Sequence, residues 1–154
     1  SEWEYAARAG TSTKYSWGND KGRNQANCDG CGSRWDDSRT APVGSFAPNS
    51  FGLHDMHGNV WELVEDCWHY DYGGAPSGGD AWKSGGNCSK GVIRGGSWFN
   101  KPNYMPSAYR VWYTPSDRDS DNTLGFRIAR TLSSSAATTR LKRYSEADGH
   151  QHDE

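Results

Sequence analysis

The chain has 154 residues, a formal charge of −2 and 13% aromatic residues, with 19 Gly, 8 Trp and 8 Tyr. That length suits one domain and is short for two. The charge lacks the clustered basic excess of a nucleic-acid binder, and no apolar run approaches the ~20 residues of a membrane span.

Ile, Leu, Val and Phe total only 16 residues, a level that ordinarily marks disorder. The aromatic content and small net charge oppose that, because each ring supplies a large area for burial. A folded, loop-rich domain cored on Trp and Tyr is therefore expected. In chain order, Ser1 to Ala9 reads as the end of a helix, with Trp3, Ala6 and Ala7 on one face and Gly10 as its stop. The start shows neither Met nor the basic and apolar regions of a signal peptide. A truncated start is expected, which leaves secreted, periplasmic and cytoplasmic locations all open. Residues 11–52 are punctuated by Gly, Asn, Asp, Ser and Pro and offer turns rather than periodicity. Val60 to Trp68 is the first clear apolar segment, and residues 71–91 form a second Gly-rich loop. Val92-Ile93-Arg94 is a predicted short strand, Ser107 to Tyr113 an extended run, and Gly125 to Arg130 a final strand. Residues 133–154 are polar and predicted to be a disordered tail, with His150 and His152 in a solvated setting.

The four cysteines are Cys28, Cys31, Cys67 and Cys88. Two disulfides, free buried thiols and a zinc site are the competing readings, and the three pairings of four cysteines stay open. The weak zinc signal reflects a second pair that is not a CxxC.

Two regions carry candidate chemistry. From Asp55 to Glu62 a turn through Gly58 could direct carbonyls inward between two carboxylates, the oxygen-rich setting a hard cation wants. The competing reading is an Asx turn leading into a helix. From Trp98 to Arg118, the rings of Trp98, Phe99, Tyr104, Tyr109, Trp112 and Tyr113 alternate with Asn100, Asn103, Arg110, Asp117 and Arg118. Rigid amphipathic rings beside adaptable polar groups make recognition surfaces, and about half of these rings are expected in the core.

Six strings in order carry a resemblance: Glu2-Trp3-Glu4-Tyr5-Ala6-Ala7-Arg8-Ala9-Gly10, Trp17-Gly18-Asn19, Ala41-Pro42-Val43-Gly44-Ser45-Phe46, the segment Pro48 to Glu62, Arg94-Gly95-Gly96-Ser97-Trp98, and Leu124 to Arg130. Together they resemble the formylglycine-generating enzyme, or sulfatase-modifying factor, family. The resemblance implies an α+β, C-type-lectin-like fold of the formylglycine-generating type over residues 1–132, with little regular secondary structure and its N-terminal part, or an upstream domain, missing.

The resemblance also implies site residues. A structural Ca²⁺ would take the Asp55 and Glu62 side chains and the Gly58 and Val60 carbonyls, with Asn59 bracing the turn. A second would take Asn27 and the Cys28 carbonyl, with Asp36 or Asp37 completing it. The ligand-binding set is Trp61, Ser97, Trp98, Asn100, Tyr104, Tyr109, Trp112 and Arg118. The family's two copper-binding cysteines correspond to Asn100 and the neighbourhood of Met105, and no cysteine follows Cys88. Copper-dependent formylglycine synthesis is therefore not expected, and no catalytic residue is assigned. Ala7 and Ile128 stand where the family has a disulfide and are expected to pack without it. The iron-dependent sulfoxide-synthase branch needs a His-x3-His-x-Glu set that His54, His57, His69, His150 and His152 do not form. The expected role is a peptide- or small-molecule-binding module. The alternatives are a family oxidoreductase using other residues or another domain, and a variable lectin-like binder of a diversity-generating retroelement.

Overall fold

The computed structural model describes residues 2–76, 80–114 and 122–129. Asp117, Arg118, His150, His152 and the tail from residue 133 lie outside the described residues.

Helix α1 spans Glu2–Arg8, seven residues, too few to be stable in isolation. Its register buries Trp3 and Ala7 one turn apart. It ends at Ala9 (φ 47°) and Gly10 (φ 89°), so the left-handed stop begins one residue before Gly10. Tertiary contacts hold it. Trp3 Nε1 donates to Glu62 Oε2 at 2.7 Å, and Glu4 accepts from both Arg8 and Arg94.

Four strands follow: β1 Trp61–Trp68, β2 Asn87–Arg94, β3 Val111–Tyr113 and β4 Leu124–Gly125. The sheet order is β3-β2-β1-β4, antiparallel except for the parallel β1–β4 pair. Val60 to Trp68 is thus a strand, not the helix that an Asx turn would start. The strand β2 begins five residues before Val92, across the loop from Cys67, and the Cys67–Cys88 disulfide ties these two strands where their register slips. The second disulfide joins Cys28 and Cys31, so disulfides prevail over free thiols and zinc. The predicted last strand is shorter than expected, since its pairing stops at Glu62↔Gly125. Beyond it Arg127 turns back onto Glu62, while Phe126 and Ile128 are 76% and 85% exposed. The expected packing of Ile128 against Ala7 is therefore not found: Ala7 is fully buried and Ile128 is open to solvent. No helix of the described residues is long and apolar enough to cross a membrane.

Directly paired residues on neighbouring strands share a face of the sheet. One face carries Trp61, Leu63, Ile93, Val111 and Tyr113; the other carries Glu62, Val64, Val92 and Arg94. The second face receives α1, where Trp3, Ala7 and Met56 form a core. A third core under the loops gathers Tyr15, Ala26, the Cys28–Cys31 disulfide and Met105.

The loops converge on Gly58-Asn59. Gly58 N donates to Gly95 O, Asn59 N to Asn27 O, and Trp98 N to Asn59 O. The Asn59 amide bonds both backbone groups of Ala41 and accepts from Asn27 Nδ2. Gly58 has φ 78°, and a Cβ there would collide with the Asn27 carbonyl, so no other residue fits.

Just before it, His57 is buried against Tyr15 and Trp17, whose rings meet it edge-on at 5.6 and 4.9 Å. Nδ1 pairs with Met105 O at 2.8 Å and Nε2 accepts from Ser16 N at 3.2 Å. That arrangement requires the neutral ring. Burial, aided by Arg8, pushes its pKa below 6.5, against the opposing pull of the Met105 carbonyl.

Two outcomes follow from this framework. Asn59→Ala removes the amide that serves Ala41 and Asn27 and leaves Ala at φ 69°. It should cost roughly 2–4 kcal/mol in urea unfolding. For His57 the folded pKa lies below the unfolded one, so the unfolded chain takes up the proton first. The stability it supports is complete above about pH 6.5 and declines as pH falls through that value towards the depressed folded pKa. The urea midpoint should therefore drop between pH 7.5 and 5.5, and less so in His57→Gln. An equally steep acid limb in the variant would contradict this assignment.

Candidate functional site

The apolar face of the sheet holds a cluster of aromatic rings. Trp61, the first residue of β1, is buried with Ile93 and Tyr113, and Tyr104, Tyr109, Val111 and Leu124 pack around them. Tyr104 ends a 3-10 helix, Pro102–Tyr104, whose fixed proline φ suits the start of the turn. Tyr109 follows a turn closed by Tyr109 N to Pro106 O. The Trp61–Tyr104, Trp61–Tyr109 and Tyr104–Tyr109 ring centroids are 6.4, 6.2 and 5.3 Å apart, mostly edge to face. Both tyrosines are half-buried, so one side of the trio meets solvent. Burial, and then the Tyr104 phenol, raise the Tyr109 pKa above 10. Tyr109 therefore stays a neutral hydrogen-bond donor at physiological pH. The Tyr113 hydroxyl is buried with no partner among the described residues.

The adjoining bend is Ser97 to Asn100. Gly96 (φ 75°) lets it pass Met105 and the Tyr104 backbone, which a Cβ would approach to 3.0 and 3.4 Å. Ser97 is fully buried and its hydroxyl donates to Asn100 Oδ1 at 2.7 Å. Asn100 O accepts from Asp29 N. Trp98 is anchored by its amide on Asn59 and its indole on Asn122 O, with Phe99 beside it. Of the predicted ligand-binding set, the structure brings Trp61, Tyr104 and Tyr109 together and sets Ser97, Trp98 and Asn100 on the bend beside them. Trp112 lies on the opposite face, 44% exposed under Lys90, and Arg118 is outside the described residues. Among the six rings expected to be half in the core, only Tyr113 is fully buried.

The position expected near the second copper cysteine holds Met105, fully buried in the loop core. All four cysteines of the chain are paired as cystines. This donor set offers no thiolate pair and does not fit the copper centre of the family.

The calcium-type segments differ from each other. At the first, Asp55 Oδ2 accepts from Gly44 N at 2.7 Å, while Oδ1 is buried without a partner among the described residues. Glu62 accepts three hydrogen bonds, from Trp3 and two from Arg127. A carboxylate has about four acceptor directions, so one remains on Oε1. The Gly58 carbonyl of the same segment accepts from Val60 N at 3.0 Å. At the second, Asn27 is fully buried, its Oδ1 accepts from Ser33 Oγ, and its Nδ2 donates to Arg39 O and Asn59. Asp36 caps the Gly30 and Gly32 amides of the Cys28–Cys31 loop. These groups act as internal struts, and the Cys28 carbonyl accepts from Cys31 N at 3.2 Å. Among the described residues, no group of three or more His, Cys, Asp or Glu is placed to hold a metal.

Two residues escaped sequence reasoning. Arg127 neutralises Glu62 and also donates to His54 O, and Arg94 is buried beneath Trp3. The signal for Arg94 was its place on the strand immediately before Gly95-Gly96. Arg127 had none, because its partner lies 65 residues away.

The sulfatase-modifying factor enzyme 1-like domain matches residues 1–132. The formylglycine-generating enzyme of Streptomyces coelicolor is 34% identical over 148 residues, covering 83% of this chain and 44% of that protein. The structure of PvdO from Pseudomonas aeruginosa superposes with a TM-score of 0.74 at 43% identity, covering 85% of this chain and 50% of that one. Variable protein 1 of Treponema denticola gives a TM-score of 0.59 at 32% identity, over 81% of this chain and 43% of that one. The chain thus spans about half the length of these relatives, and its fold is their loop-rich, lectin-like one.

Proposed function

The chain belongs to the sulfatase-modifying factor enzyme 1-like domain family, and from that premise we propose that it is a ligand-binding member without formylglycine-generating activity. The observation that carries this reading is the fate of its sulfur. Every cysteine is locked in a disulfide, and Met105 is a buried core side chain. Oxidising a substrate cysteine with copper needs soft thiolates that can bind the metal, and this site offers none.

In place of that chemistry, the ring cluster offers recognition. Trp61, Tyr104 and Tyr109 form a rigid platform for an apolar or planar group. The Tyr109 hydroxyl and the Asn100 amide supply adjustable hydrogen bonds at its rim. A peptide segment or a small molecule with an aromatic or aliphatic anchor suits this surface.

A second reading is the variable lectin-like binder. The likeness to the Treponema denticola variable protein supports it, as does the exposure of Asn103 in the Pro102–Tyr104 3-10 helix. Adenine-rich codons at Asn100, Asn103 and Tyr104 would distinguish it from a fixed-specificity binder.

We further propose that a structural Ca²⁺ is held by Asp55, Glu62 and the Gly58 and Val60 carbonyls. It would engage the buried Asp55 oxygen and fix the turn that carries Asn59. In a turnover assay with Cu(I), O₂ and a cysteine-containing sulfatase-motif peptide, the peptide mass should be unchanged; aldehyde formation would overturn the binding-module reading. Random peptide display on the immobilised chain should enrich sequences whose affinity falls at least tenfold in Tyr104→Ala. Enrichment indifferent to that change would remove the platform from the proposal. For calcium, chelation should lower the melting temperature of the wild type and leave Asp55→Asn nearly unaffected, since a ligand specific for the native state raises apparent stability. A wild-type midpoint unmoved by chelator would sink the site.

A further inference from the structure

On the sheet face opposite the aromatic platform lies a cavity of about 180 Å³, walled by Arg94, Arg110, Tyr72, Trp82 and Asp66. Arg94 is 1% exposed. Its Nη1 donates to Glu4 Oε2 and Ser107 O, both at 3.2 Å, but its Nε is buried with no partner among the described residues. A guanidinium keeps its charge at all accessible pH values. A buried charged donor without an acceptor is costly, and Arg94 is one of the residues that line this cavity. The second guanidinium, Arg110, is stacked on Trp68 and Tyr72 at 4.7 and 4.4 Å from their ring centroids. It donates to the Asp71 carbonyl, and no described carboxylate forms an ion pair with it. The wall is fixed independently: Trp82 N donates to Asp66 Oδ1, and the Cys67–Cys88 disulfide joins the strands beside it.

We propose that this cavity is a binding site for a small monocarboxylate, seated between Arg94 and Arg110 with its carbon skeleton against Tyr72 and Trp82. Guanidinium forks match the planar geometry of a carboxylate. The volume is well below the ~300 Å³ at which drug-sized ligand pockets begin, so the ligand is a short-chain acid or the carboxylate end of a larger molecule. Glu4, shared between Arg8 and Arg94, and Asp66 in the wall place two carboxylates beside the guanidinium groups. They favour a monoanion over a phosphate dianion. Nothing in this site depends on the platform formed by Trp61, Tyr104 and Tyr109.

The test uses the whole chain and two probes, propionate and inorganic phosphate, at matched ionic strength. Propionate should raise the melting temperature saturably, and phosphate should not. Arg110→Gln should weaken the apparent propionate affinity roughly tenfold or more. Ala75→Phe, which fills the cavity from an exposed position, should abolish the effect while the chain stays folded. If propionate produces no saturable shift, the Arg94 donor is served by water and the proposal fails. It fails equally if the shift persists in both variants, or if phosphate is preferred.

Discussion

The fold depends on one turn. Long loops carry backbone donors and acceptors that a buried setting does not forgive, and the described residues hold only four strands, one seven-residue helix and one 3-10 turn to satisfy them. The Gly58-Asn59 turn answers much of that demand at a single point. It binds the loops at Asn27, Ala41, Gly95 and Trp98 through its backbone and the Asn59 amide. Its left-handed geometry is open to glycine at 58 because the Asn27 carbonyl presses against it, and to asparagine at 59 because a short amide tolerates that region. The bend bearing Ser97, Trp98 and Asn100 hangs from this turn, so the geometry of the aromatic platform inherits its rigidity.

The sheet divides the molecule chemically. One face gathers rings: Trp61 and Tyr113 with Tyr104 and Tyr109 against them. The other carries charge. Glu62 receives Trp3 and Arg127, and Arg94 receives Glu4. Helix α1 stays helical because that charged face holds its Trp3 and Glu4, not because its sequence would fold alone. The same polarity explains why the two proposed sites ask for different ligands. The ring face suits an apolar or planar anchor, and the arginine face suits a carboxylate.

The disulfides shape both sides. Cys67–Cys88 bridges β1 and β2 where the ladder slips, and so holds the wall of the arginine cavity. Cys28–Cys31 lies in the loop core with Met105, which in turn accepts from His57 through its carbonyl. Sulfur here has become packing and cross-linking material, with no thiol left in the chain.

Much was legible in the sequence, because composition and ordered motifs act locally. The Trp- and Tyr-based core, the loop-rich α+β class, the short helix before Gly10 and the loss of the copper cysteines all follow from residue type and position. Which rings are buried did not follow, because Tyr113 and Trp112 are neighbours in sequence and differ only in the face their strand presents. Nor did the disulfide pairing, which depends on which strands lie side by side. Ile128 was expected inside on the strength of its chemistry. Sheet pairing ends at Gly125, before any element reaches it, and it remains outside. The sequence by itself determined what this domain is made of and that no cysteine follows Cys88. Only the tertiary structure decided that Glu62 belongs to Arg127 and that Arg94 keeps a buried donor unpaired, because those partners come from strands and loops that sequence distance does not relate.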